Sequence, residues 1–195
     1  RTILIMGHMR SGSSLLLHLL SSSPALITMG ERNARYAGYG DLALGHLRTR
    51  WASGARLRRV TAVVDQINHN AMTPDPGLLR AARVQLVFIV REPTASIASL
   101  LELSRQFYRD AWTAQRALDY YCERLRWLEA LTRSLPVASD AAFVTYETLV
   151  AAPGPLLRLL AQRMKIAGEF SSEYPIFDFT GRRGDPGRLI ASGRV

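Results

Sequence analysis

Ile3-Leu4-Ile5-Met6-Gly7-His8-Met9-Arg10-Ser11-Gly12-Ser13-Ser14-Leu15-Leu16 joins two apolar runs through a loop with a glycine at each end. Ile3 to Met6 reads as a buried strand, and Leu15 to Leu20 reads as a helix. A strand, a glycine-bearing loop and a helix N-terminus together turn backbone N–H groups and a positive dipole end toward an anion. The glycines permit a tight turn and a close approach of the backbone. Ser13 and Ser14 add hydroxyl donors. The spacing of Gly7 and Gly12 fits the start of a phosphate-binding P-loop, but a nucleotide triphosphatase places lysine next, where this chain has Ser13. The cation lies inside the loop instead, as Arg10. The loop should therefore hold phosphate differently from an ATPase.

Working outward, apolar runs and turn signals alternate along the chain. Ala25 to Thr28 reads as a short strand, followed by Met29-Gly30-Glu31. Glu31 stands where it can either act on a ligand or favour the start of a helix. From Tyr36 to Arg59 four glycines interrupt a basic stretch, which reads as irregular helix with loops and a solvated face. Val60 to Asp65 is β-branched and reads as a strand, with Gln66 to Asn70 as the loop after it. His69 in that loop is a candidate base or a simple hydrogen-bonding residue. Leu78 to Arg83 makes one or two helical turns. Val84 to Val90 is the clearest buried strand, ending at Arg91-Glu92-Pro93. Pro93 suits a first helical turn, and the helix should run to Phe107, with Ser99 about two turns in. Arg91 thus falls at a strand's C-terminal edge, where open α/β sheets bind ligands. The plainer expectation for Arg91 is an ion pair with Glu92 or Glu102.

Thr113 to Leu135 is a long amphipathic helix, with Leu118, Tyr121, Cys122, Leu125, Leu128 and Leu131 at helical spacing. Trp112 and Trp127 read as packing residues. Ala142 to Tyr146 is the last strand, and Pro153 to Ile166 another helix. The order implies an α/β fold with a parallel sheet. At 195 residues it should be one domain over 1–195 with a sizeable core. Residue 1 is arginine, so the natural chain can begin earlier.

Hydrophobic residues make up 48% and charged residues 21%, ordinary values for a globular protein. No apolar run is long enough for a membrane span. Cys122 is the only cysteine, which excludes an internal disulfide and suits a reducing, cytoplasmic location. The net charge is +9, and Lys165 is the only lysine. An arginine-borne charge suits phosphate recognition.

Taken together these motifs resemble the sulfotransferases that use 3′-phosphoadenosine 5′-phosphosulfate (PAPS), and the resemblance spans nearly the whole chain. Gly7 to Ser14 is similar to their 5′-phosphosulfate loop, in which a basic residue precedes Ser-Gly-Ser/Thr. Val87 to Pro93 with Ser99 is similar to their 3′-phosphate motif. Tyr146-Glu147-Thr148-Leu149 resembles a segment after the last core strand, and Gly184-Asp185-Pro186-Gly187-Arg188 the glycine-rich segment that closes over the nucleotide. Met29-Gly30-Glu31 resembles the tyrosylprotein branch and its bacterial relatives, where a Glu in this place is the proposed base.

The resemblance implies a three-layer P-loop-kinase-like fold with about five parallel strands. It implies PAPS as co-substrate without a metal, and a hydroxyl-bearing acceptor. Arg10, Ser11, Gly12, Ser13 and Ser14 would bind the 5′ end, Arg91 and Ser99 the 3′-phosphate, and Arg182, Arg183, Gly184 and Arg188 would close the site. Glu31 would be the base, with His69 the other candidate, because Gln66-Ile67-Asn68-His69 lacks the lysine of the cytosolic branch. Two other readings compete. A small-molecule kinase would use Mg-ATP with Asp65 as metal ligand. A nucleic-acid-binding module would rest on the +9 charge and show steep salt dependence.

Overall fold

A computed structural model describes residues 1–30, 32, 34–54, 60–79, 83–135, 141–166, 168–174, 176–177 and 192–195. Five parallel strands form one sheet: β1 (Thr2–Met6), β2 (Leu26–Thr28), β3 (Ala62–Ile67), β4 (Val84–Val90) and β5 (Ala142–Thr145). Their order is β2-β3-β1-β4-β5. β1 lies at the centre, with Leu4 opposite Asp65 on one side and Leu86 on the other. Every residue of β1 is buried, as expected of a central parallel strand covered on both faces.

Two apolar layers follow from the two-residue period of the strands. Ile3 and Ile5 face a layer built with α1 (Ser13–Leu20), α6 (Tyr146–Ala151) and α7 (Pro153–Arg163). Leu4 and Met6 face the opposite layer, with Leu42 of α2 (Tyr39–Ala52), Leu78 and Leu79 of α3 (Pro76–Leu79), and Leu128 and Leu131 of α5 (Ala114–Ser134). α4 (Pro93–Phe107) packs on α5. The result is the three-layer, P-loop-kinase-like arrangement expected. From β1 the chain crosses outward to β2, while β3 crosses back over β1 to β4. This puts a topological switch point beside the C-terminal end of β1, where α/β sheets bind ligands. No helix among the described residues is long and apolar enough to cross a membrane.

Several element boundaries differ from the sequence expectations. β3 starts later and runs on through Gln66 and Ile67, so Asp65 sits inside the strand rather than at its end. The β1 ladder extends to Met6 opposite Ile67, and pairing on both sides overrides the polar residues. Tyr146 opens α6 instead of closing the last strand. The helix expected over Leu78 to Arg83 has described helical residues Pro76–Leu79. The stretch read as irregular contains a continuous 14-residue helix, α2. Its Gly45 is a packing glycine, because a Cβ there would lie 2.6 Å from Nη2 of Arg32.

Candidate active site

The loop after β1 is shaped by two left-handed residues, Arg10 (φ 69°) and Gly12 (φ 90°). Gly12 is required twice over, since a Cβ there would also lie 2.4 Å from the ring of Tyr146. Arginine in this backbone region is strained, a feature that clusters at ligand-binding sites. The N–H of Ser11 donates to His8 O at 3.1 Å, closing the turn. α1 starts after Gly12 with no side-chain cap, so the N–H groups of its first turn lack intrahelical acceptors and face the loop. The Oγ of Ser11 is buried with no hydrogen-bond partner among the described residues. An anion in the loop would satisfy these donors.

Arg10 and Ser99, drawn from separate motifs, meet here: Arg10 Nε donates to Ser99 Oγ at 2.7 Å. Arg91 Nη1 donates to Arg10 O at 3.4 Å, and its guanidinium lies 4.3 Å from the centre of the Tyr146 ring. Arg91 Nε is buried without a hydrogen-bond partner among the described residues. Arg91 therefore does not pair with Glu92 or Glu102. Glu92 instead caps α4, accepting from the N–H groups of Thr94 (2.8 Å) and Ala95 (2.7 Å). Those bonds hold its carboxyl below the usual carboxylate range. Two arginines and a serine thus share one edge of the loop, a donor set suited to phosphate oxygens. Ser14 lies nearby and its Oγ accepts from Gln66 Nε2 at 3.2 Å, while Ser13 is buried.

His8, unremarked in the sequence, ties the loop to the adjoining strand. It is fully buried and its Nε2 accepts from the N–H of Arg91 at 3.3 Å. That bond makes Nδ1 the protonated nitrogen, which donates to Met9 O at 2.8 Å. Burial pushes its pKa down to about 4. The unfolded chain therefore takes up a proton near pH 6.5 that the folded protein resists. The stability His8 provides is full above pH 6.5 and is lost as pH falls toward 4, a difference of about 3 kcal/mol. Urea midpoints for wild type and His8→Gln should diverge between pH 7.5 and 4.5, with wild type losing more. Parallel midpoints would show that His8 is not held neutral.

One face of α5 clamps the C-terminal ends of three strands. Tyr120 Oη accepts from the N–H of Met9 (2.9 Å) and donates to Asn68 O (2.8 Å). Tyr121 Oη donates to Arg91 O at 2.9 Å. Arg124 Nε donates to Gly7 O (2.8 Å), Nη2 to Ile67 O (2.7 Å) and Nη1 to Asn70 Oδ1 (2.8 Å). Trp127 lies under the Arg124 guanidinium at 4.4 Å, so it packs as expected. Arg124 was legible as an anomaly: Ala117, Tyr121, Arg124, Leu128 and Leu131 form the buried stripe at alternating spacings of four and three. A charged residue on such a stripe signals a buried role. By contrast Leu118, assigned to the apolar face, is 40% exposed.

Asp65, the candidate magnesium ligand, is committed elsewhere. Arg32 Nε donates to its Oδ2 at 3.2 Å, the Tyr36 hydroxyl donates to the same oxygen, and the N–H of Gln66 donates to Oδ1 at 2.9 Å. Burial pushes this carboxyl up, against the pull of Tyr36 and Arg32. His69 is half-buried beyond β3, and burial followed by the Arg124 charge lowers its pKa. It is therefore neutral at pH 7. Glu31, Arg182, Arg183, Gly184 and Arg188 lie outside the described residues. On either side of Glu31, Gly30 is buried with its N–H donating to Thr28 Oγ1 at 3.0 Å, and Arg32 is held by Asp65.

No family model and no curated protein matches the chain. Solved structures do. The sulfotransferase domain from the curacin biosynthetic pathway is similar at a TM-score of 0.56 and 16% identity, over 99% of this chain and 82% of that one. A mouse sulfotransferase complexed with PAP gives 0.54 and 14%, over 85% of this chain and 58% of that one. A sulfotransferase from Alicyclobacillus acidocaldarius gives 0.53 and 16%, over 85% and 81%. At such identities the likeness is one of fold, and the chain has the P-loop-kinase-like fold of these sulfotransferases.

Proposed function

We propose that the protein is a sulfotransferase that moves a sulfuryl group from PAPS to an acceptor hydroxyl. One observation carries the reading: Arg10, Ser99 and Arg91 converge on a phosphate-type loop that lacks the P-loop lysine. The fold likeness supports it. The donor supplies the sulfuryl group, whose sulfur gains a bond from the acceptor oxygen as its bond to the bridging phosphate oxygen breaks, the electron pair staying with that phosphate. Arg10 and the N–H groups of Gly12, Ser13 and Ser14 stabilise the charge arriving on the 5′-phosphate. Ser11 Oγ, buried and without a partner among the described residues, is a further donor to it. Arg91 and Ser99 hold the 3′-phosphate. Glu31 takes the proton of the acceptor hydroxyl, and Arg182, Arg183, Gly184 and Arg188 close over the nucleotide. As in phosphoryl transfer, positioning and electrostatics carry the rate.

The kinase reading loses its carboxylate, because Asp65 already accepts from three donors inside β3. Arg91→Ala tests the donor site by calorimetry. Charge-assisted hydrogen bonds contribute roughly 1.5–3 kcal/mol, so binding of 3′,5′-adenosine bisphosphate should weaken about 10- to 150-fold. Binding of 5′-AMP should change far less. Equal losses for both nucleotides contradict the 3′-phosphate assignment.

A further inference from the structure

Among the described residues Arg124 is a cation without a counter-ion. It is 0% exposed, and its three acceptors are two backbone carbonyls and an amide oxygen, all neutral. The ion pairs that are resolved among the described residues, Arg32 with Asp65 and Arg133 with Glu129, lie elsewhere. Glu123, one residue away on α5, is exposed and its Oε1 accepts from Asn70 Nδ2 at 3.0 Å. Burial lowers the guanidinium pKa to about 10, so it is charged at neutral pH. An unpaired buried charge is costly, and structures normally pair it.

Its place in the fold explains what offsets that cost. Gly7 opens the anion loop, and Ile67 ends the neighbouring strand. Their carbonyl oxygens lie at the C-terminal edge of the sheet, where their partial negative charge opposes an incoming anion. Arg124 donates to both. In a low-dielectric setting its remaining charge acts on whatever the loop holds. We propose that Arg124 is an electrostatic positioning residue of the anion loop, whose counter-ion is the phosphate charge of the bound ligand. Arg124 does not touch the ligand; it acts through Gly7 and Ile67. The site thereby favours a polyanionic nucleotide over a less charged one. This inference rests on the reading that the loop holds phosphate.

The test moves one negative charge and keeps the hydrogen bonds. Asn70→Asp combined with Glu123→Gln leaves the net charge unchanged and sets a carboxylate against Arg124 Nη1. The melting temperature should hold or rise, because the buried guanidinium gains a partner. Affinity for 3′,5′-adenosine bisphosphate should nevertheless fall about tenfold, with a smaller loss for 5′-AMP. Arg124→Lys, measured alongside, keeps the charge but cannot reproduce the three bonds. It should melt earlier yet bind the bisphosphate better than Arg124→Met of matched stability.

Unchanged affinity in a folded double variant overturns the inference, as does affinity that follows melting temperature rather than charge across the series. If the double variant does not fold, the Lys and Met pair decides in the same terms. Failure of the wild type to bind any bisphosphate is a different result and strikes the sulfotransferase reading itself.

Discussion

Glu31→Gln is expected to reduce sulfuryl transfer by roughly two to four orders of magnitude, the usual contribution of a positioned general base. The amide keeps the shape of the carboxylate but cannot take a proton. Binding of 3′,5′-adenosine bisphosphate should not change, because the proposed role of Glu31 is toward the acceptor. The pH dependence sharpens the test. The acidic limb of the rate profile that belongs to the base should be present in the wild type and vanish in the variant. Single-turnover kinetics with saturating donor separate the chemical step from binding. Turnover near the wild-type rate would move the role to His69, which burial keeps neutral and able to accept a proton at pH 7. His69→Ala is the paired control and should have the smaller effect.

Arg10→Asn should lower turnover by roughly a hundred- to a thousandfold, as removal of a preorganised donor to developing charge does in other enzymes. Asparagine is the informative choice because position 10 has φ 69°, which asparagine tolerates better than alanine. The loss is then electrostatic rather than a strained loop. Arg10→Lys should recover part of the rate, since it restores the charge without the planar fork. Ser99→Ala removes the acceptor of the Arg10 Nε bond and should cost much less. The contrast between these variants, measured as kcat, distinguishes a charge aimed at the leaving group from a loop-shaping contact. Similar losses for Arg10→Asn and Ser99→Ala would reduce Arg10 to a structural residue.

What the sequence made legible follows from local physics. Val84 to Val90 is a continuous apolar run, and β4 has those bounds. Pro93 announces a helix start, and α4 begins there. Gly12 marks the loop through its left-handed backbone, and Gly7 because a Cβ there would lie 2.5 Å from Ser11 Oγ.

The misses involve residues whose roles arise only from contacts distant in the chain. Gly45 looked like a helix breaker, yet it makes room for Arg32, thirteen positions earlier. Asp65 looked like a strand-end carboxylate because the pairing of Met6 with Ile67 is invisible locally. His8 sits in the deciding stretch, but its partner is the backbone of Arg91, 83 residues on. Arg124 alone left a readable trace, a charge on the buried stripe of α5. Glu31 and the Arg182 to Arg188 segment lie outside the described residues, so their roles are proposals that the variants above can decide.

Isothermal titration of the protein with 3′,5′-adenosine bisphosphate, 5′-AMP and Mg-ATP, each with and without EDTA where the ligand allows it, tests the central claim most directly. A site built on Arg10, Arg91 and Ser99 predicts tightest binding of the bisphosphate, unaffected by EDTA. Tightest binding of Mg-ATP, abolished by EDTA, would contradict it and restore the kinase reading.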